Sequence, residues 1–196
     1  MLSLNAKPGT TEAYGINATG QVTGFFSNGT GYHGFVYNGG IYTTLDDPNA
    51  AFGTLAFGIN AAGVVTGYYF GNGTGEHGFV YNGGTYTTLD DPNATSGTTA
   101  FGVNDAGLVA GNFSNGTGNH GFVYNGGTYT TLDVPNAKPG TTFVSGINDA
   151  GQVTGTFSNS TGYHGFVASP NTLPIPAAFW LSGSALVSLI GLARRR

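Results

Sequence analysis

The residues of this chain best suited to chemistry are four histidines and a short series of acids. His33, His77, His120 and His164 each open an HGFV segment, at offsets of 44, 43 and 44 residues. Imidazoles set at equal intervals predict one of two things. They form a metal-binding ring near a common axis, or each serves one repeat as a hydrogen-bonded structural residue, bonding backbone within its own unit. Repetition multiplies any structural residue, so the second reading is preferred. The acid pairs Asp46-Asp47 and Asp90-Asp91, with Asp133 alone, precede Pro48, Pro92 and Pro135. They lack the alternating D-x-D-x-D spacing of calcium loops. Their expected role is a solvated turn in which Asp accepts backbone N–H bonds, with Ca²⁺ as the alternative. Glu12 and Glu76 are the only glutamates. They fall at non-equivalent repeat positions, so a glycosidase pair is not expected and both read as surface residues. There is no cysteine, no G-x-S-x-G elbow and no phosphate loop. The expectation is a non-enzymatic protein without a cofactor.

Composition excludes further classes. The 196 residues include 36 glycines, 13% aromatics and only 7% charged residues, which is the reverse of a disordered solvating chain. Three of the five basic residues are Arg194, Arg195 and Arg196. The remainder is mildly acidic and offers no basic face for nucleic acid.

The elements that must position these residues follow from the repeat. Gly15-Ile16-Asn17, Gly58-Ile59-Asn60, Gly102-Val103-Asn104 and Gly146-Ile147-Asn148 recur at offsets of 43, 44 and 44, in step with the histidines. Each unit holds four β-prone runs, in the first unit 13–17, 21–27, 32–37 and 41–45, separated by turn residues. Asn17-Ala18-Thr19-Gly20 suits a type I turn closed by a left-handed glycine, and Asn38-Gly39-Gly40 suits a hairpin. In the second run Val22, Val65, Val109 and Val153 are kept, as are Phe26, Tyr69, Phe113 and Phe157. The alternate column varies: Phe25, Tyr68, Asn112, Thr156. Gly24, Gly67, Gly111 and Gly155 fall on the kept side and predict close approach of a neighbouring sheet.

The predicted fold is all-β: four tandem four-stranded antiparallel repeats, β-propeller-like and open or incomplete, with one C-terminal hydrophobic helix. A solenoid ranks second. Expected boundaries are a remnant or closing strand at 1–10, repeats at 11–53, 54–97 and 98–140, a fourth repeat at 141–168 lacking its last strand, a linker at 169–176, and a membrane helix with an Arg cluster at 177–196. Met1–Leu4 align with the missing strand and offer a short clasp.

The tail Ala177–Ala193 carries no charge and ends at Arg194–Arg196. As a helix it would span roughly 25 Å, just short of a hydrocarbon core, with Trp180 near one interface and the arginines as a cytoplasmic membrane stop. Leu173-Pro174-Ile175-Pro176-Ala177, this apolar run and the arginines together resemble the PEP-CTERM class of bacterial sorting signals, in its VPLPA-CTERM variant. Leu173 and Ile175 replace that motif's Val and Leu. The resemblance implies export, an exosortase-type membrane protease as partner, anchoring in the inner membrane before processing, and a final place at the cell surface among exopolysaccharide. The repeats, over 11–168, resemble the probable extracellular HAF repeats: Gly15–Gly24 followed by His33-Gly34-Phe35 fits the pattern, with Gly for its Ala. That resemblance implies an extracellular location and no chemistry. Residues 1–30 show neither a basic n-region nor an apolar h-region, so the expectation is that upstream sequence is missing.

The functional expectation is an exported surface or biofilm-matrix repeat protein that contacts exopolysaccharide or other copies of itself. The alternative is a glycan-binding module in which Phe25 and Tyr68 stack on sugar rings.

Overall fold

A computed structural model describes residues 10–169. The sorting motif Leu173–Ala177, the helix, Arg194–Arg196 and the Met1–Leu4 clasp lie outside the described residues.

Fifteen strands fall into groups that follow the repeat. The first unit holds β1 (Thr11–Ile16), β2 (Val22–Ser27), β3 (Tyr32–Asn38) and β4 (Ile41–Leu45). The second holds β5 (Gly53–Ile59), β6 (Val65–Phe70), β7 (Glu76–Asn82) and β8 (Thr85–Leu89). The third holds β9 (Gly97–Val103), β10 (Val109–Asn115), β11 (Gly118–Asn125) and β12 (Thr128–Leu132). The last described group is β13 (Phe143–Ile147), β14 (Val153–Asn159) and β15 (Gly162–Ala168). Each unit is an antiparallel meander. Parallel bridges Tyr32–Gly53 and Glu76–Gly97 tie the first three into one twelve-stranded sheet. The last group is a separate three-stranded sheet; among the described residues its backbone pairing to the rest is an isolated Asn119–Thr141 bridge just before β13. Among the described residues there is no helix, and hence none long and apolar enough to cross a membrane.

The turn chemistry explains the meander. Asn17 Oδ1 accepts from the backbone N–H of Thr19 and Gln21, and Gly20 closes the turn at φ 80°. The β3–β4 hairpin is a two-residue loop in which Gly39 and Gly40 hold φ 54° and 96°, the signs of a type I′ turn. Asn38 is thus the last strand residue and not part of the loop proper.

Successive units pack face to face. Gly34 on the forward face of the first unit sits against Ala56 of the second. Leu45 and Val36 join Ala56, Ile59, Val65, Tyr69 and Phe79 in one core cluster. Leu89 and Val80 meet the third unit in the same way, and Leu132 and Val123 meet the fourth. The core is therefore a series of seams, one between each pair of units.

One expectation changes here. Gly24, Gly67, Gly111 and Gly155 are needed for approach within their own unit: a Cβ would strike the carbonyl oxygens of Glu12, Leu55, Thr99 and Phe143. Those atoms belong to the preceding strand beside its bulge, not to a neighbouring sheet. The glycines that let neighbouring units approach are Gly15, Gly58 and Gly102, which face Phe57 O, Phe101 O and Ile147 N across the seams. The variable column is buried at Phe25 and Asn112 and exposed at Thr156. Phe25 is only 7% exposed, because that column lines the seam.

Candidate functional site

The histidines do not converge on an axis. His33 Nδ1 donates to Asp46 Oδ1 at 2.8 Å, and Nε2 lies 3.0 Å from Thr30 Oγ1. Thr30 donates from both N and Oγ1 to Asn28 Oδ1, at 3.0 and 2.6 Å. The ring stacks on Phe26 at 5.2 Å. His77 repeats this with Asp90, Thr74 and Tyr69, and His120 with Asp133, Thr117 and Phe113. His164 keeps Thr161, Asn159 and Phe157. Each His therefore bonds side chains within its own unit, which corrects the expected backbone bonding. Among the described residues no group of three or more His, Asp or Glu is placed to hold a metal.

The order Asp–His–Thr is that of a nucleophilic relay. In the first, third and fourth units, however, the threonine hydroxyl donates to Asn28, Asn115 or Asn159. That proton is spent on the tight turn, so the cluster clamps the link between the second and third strands.

The acids separate into two kinds. Asp46 and Asp90 are exposed and hold the histidines. Asp47 and Asp91 are buried, which corrects the solvated-turn expectation for them, although each does accept the expected backbone bond, from Asn49 N and Asn93 N. Thr54 Oγ1 accepts Asp47 N–H. Among the described residues Asp47 Oδ2 and Asp91 Oδ2 have no hydrogen-bond partner. Burial pushes the Asp47 carboxyl above the usual carboxylate range, partly offset by the bond from Asn49.

A different constellation stands out on the first two units. Tyr14 stacks on Phe25 at 5.5 Å and meets Phe57 edge-on at 4.7 Å. Phe25 also touches Tyr32 at 5.8 Å. Phe57 stacks on Tyr68 at 5.5 Å and adjoins Phe101 at 5.1 Å, and Tyr68 meets Phe70 at 5.5 Å. This run is continuous, with Phe25 as its floor and Tyr14 and Tyr32 as walls, 53% and 45% exposed. Both glutamates border it. Glu12 pairs across the strands with Phe25 and accepts from the Tyr14 hydroxyl at 2.7 Å. Glu76 pairs with Phe70, and its carboxyl is raised by desolvation. Burial, reinforced by the nearby Glu76 charge, pushes the Tyr68 phenol up to about 12. Glu76 is thus a half-buried seam residue and not the surface residue expected. The sequence signal for this patch was available: aromatics fill the variable column only in the first two units, whereas Asn112 and Thr156 fill it in the others.

No family model matches the chain, and no curated protein matches it. Among solved structures it is similar to lectins from Aleuria aurantia. One is a glutamine-for-asparagine mutant in complex with Fucα1-6GlcNAc, at 16% identity and TM-score 0.42. The same mutant in complex with α-methyl-L-fucoside gives 18% and 0.39. A mercury derivative of the fucose-specific lectin gives 17% and 0.38. Each covers 82% of this chain, and the chain spans 64% of each lectin.

Proposed function

We propose that this chain is a non-enzymatic, propeller-like repeat protein that binds carbohydrate, and that its binding site is the aromatic seam of the first two units. The single observation that carries the reading is the patch itself: walls of half-exposed tyrosine over a buried phenylalanine floor, bordered by the only two glutamates of a weakly charged chain. A sugar ring offers an apolar C–H face and a rim of hydroxyls. Aromatic faces match the first, and carboxylate oxygens accept strongly from the second. Phe25, proposed from the sequence as a stacking residue, serves as the floor while Tyr14 and Tyr32 supply the contact. In the first, third and fourth units the threonine hydroxyl beside the histidine is committed to its own turn, which supports a structural role for those clusters.

A panel of immobilised glycans tests this. Saturable binding to a defined saccharide is expected, and Tyr32→Ala should weaken it about tenfold or less, the worth of one lost aromatic contact. A chain that binds no glycan on the panel, or binds equally after Tyr14→Ala and Tyr32→Ala together, refutes it.

A second reading rests on Leu173–Arg196: we propose that the chain is exported, recognised by an exosortase-type protease and retained in a surface or biofilm matrix. Expression in a host with and without an exosortase tests it. Equal retention in the membrane fraction in both hosts would refute that route.

A further inference from the structure

Every seam is built from a forward face and the back face of the next unit, and the fourth unit has a forward face with nothing on it among the described residues. In the first three units that face is buried: Thr23, Thr66 and Ala110 are inaccessible. In the fourth, Thr154, Thr156, Gly165 and Val167 are exposed. Gly146 sharpens the point. Its counterparts Gly15, Gly58 and Gly102 are needed because the next unit's backbone comes within 3.0 Å of where a Cβ would stand. Gly146 meets nothing within 4 Å, and its φ does not require glycine. At the other end Ile16 is 70% exposed, whereas its counterpart Ile59 is 9% exposed inside a seam.

The polar pattern points the same way. Asn17 Nδ2 donates to Asn60 O at 2.9 Å, Asn60 Nδ2 to Asn104 O at 3.1 Å, and Asn104 Nδ2 to Asn148 O at 3.1 Å. Asn148 Nδ2, the last of this ladder, keeps the bond to Gln152 Oε1 of its own turn, as Asn17 Nδ2 does to Gln21 Oε1, and has no rung beyond it among the described residues. Asn17 O accepts within its own turn, from Gly20 N, and as a carbonyl retains a second lone pair.

We infer that a second copy of this chain docks head to tail, the forward face of its fourth unit on the exposed inner strand of the first unit's back face. The contact continues, along β1 alone, the seam already made three times within the chain; Phe26 and Phe35 on the rest of that back face are already buried, at 3% and 2% exposure. Gly146 and Val167 meet Ala13 and Ile16, and Asn148 Nδ2 reaches Asn17 O. The junction is of the type between the first and second units, since Ala18 and Ala61 both lack the carboxylate that Asp105 and Asp149 bring to the other seams. Such a contact is heterologous, so copies close into a ring or extend into a chain.

Light scattering after size exclusion of the full chain in mild detergent, across a dilution series, tests the assembly. Two or more copies per particle are expected. Gly146→Val places a side chain where the fourth unit has open space, so the fold is kept while the neighbour is blocked. Ile16→Arg blocks the opposite face. Each variant alone should run as a single copy, with an unchanged circular dichroism spectrum. An equimolar mixture should recover a two-copy particle, because one intact face remains on each. A single-copy wild type at every dilution overturns the inference. So does association that survives both substitutions, and so does a mixture that stays single-copy.

Discussion

Asn112 gives the sharpest test of how the last unit is held. The fourth unit's sheet shares only an isolated bridge with the rest, so other contacts must fix it. Asn112 Nδ2 donates to Val144 O at 3.0 Å, and Val144 N donates back to Asn112 Oδ1 at 2.7 Å. Both residues are buried. Asn112→Ala removes the donor to Val144 C=O and the acceptor of Val144 N–H, two buried backbone groups. Leaving one buried polar group unsatisfied costs roughly 1–3 kcal/mol, so two predict about 2–6 kcal/mol. That is a large share of the ~5–15 kcal/mol typical of a folded domain. Asn112→Asp is nearly isosteric and keeps the acceptor for Val144 N–H. Its carboxylate cannot donate to Val144 O, so it should recover no more than about half of the loss. Asn159→Ala is the control: it removes exposed turn bonds from Thr161 and a part-buried contact with His164, no fully buried backbone group, and should cost about 1 kcal/mol.

Urea unfolding gives the midpoint and slope for each variant. Amide exchange across β13 and β14 then shows whether the loss is local to the last unit, as expected where units interact with nearest neighbours alone. A loss under about 0.5 kcal/mol for Asn112→Ala, with unchanged exchange at Val144, would show that the clamp does not hold the seam.

Three further expectations follow from the same geometry. Gly67→Ala should destabilise by more than about 2 kcal/mol, since its Cβ meets Leu55 O and the Phe79 ring, neither free to move; a thermal midpoint within error of wild type would refute the bulge argument. Asp47→Asn should raise stability at neutral pH. The folded carboxyl titrates above its unfolded value, so ionisation opposes folding above that range and the penalty fades as pH falls through it; a gain that is the same at pH 7 and at acid pH would refute this sign. Glu76→Gln should behave likewise for the same reason, read as a pH-dependent difference in urea midpoint.

Much of the fold was legible because turns are local chemistry. Asn and Gly at fixed offsets settle each reversal before any long-range contact is considered, and the predicted runs coincide with the strands to within two residues in the first unit. What the sequence concealed was the partner of each side chain across space. Gly24 and Gly15 are both invariant among the four units, yet one answers to a bulge in its own sheet and the other to the next unit. A repeat pattern marks both as constrained and cannot say by what. The histidines illustrate the same limit. Equal spacing was compatible with a shared axial metal or with separate clamps, and only the Asp thirteen residues downstream, bonded to each Nδ1 in three units, separates the two.

The variable column carries the functional consequence. Variation between repeats first reads as exposure, because solvent imposes little on a side chain. Here the column is a seam, and each seam solves the same space differently: Phe25 by aromatic packing, Tyr68 by stacking on Phe57, and Asn112 by clamping Val144. Thr156 has no next unit among the described residues and is exposed. The constant positions must therefore suffice to bring units together, which frees the variable ones to specialise. In this chain the aromatic solutions cluster at one end and a bare forward face lies at the other. If two copies join head to tail, the fourth unit's polar Thr156 and exposed Tyr163 are carried to the first unit of the neighbour, where their counterparts' contacts with Phe57 and Gly53 correspond to Tyr14 and the start of β1. Glycan binding by Tyr14 and Tyr32 would then persist in the Gly146→Val single copy if the patch is self-sufficient. It would fall with dilution of the wild type if the neighbour completes it. Titrating one saccharide against both forms separates the two cases, because the substitution lies in the fourth unit and touches no residue of the aromatic run.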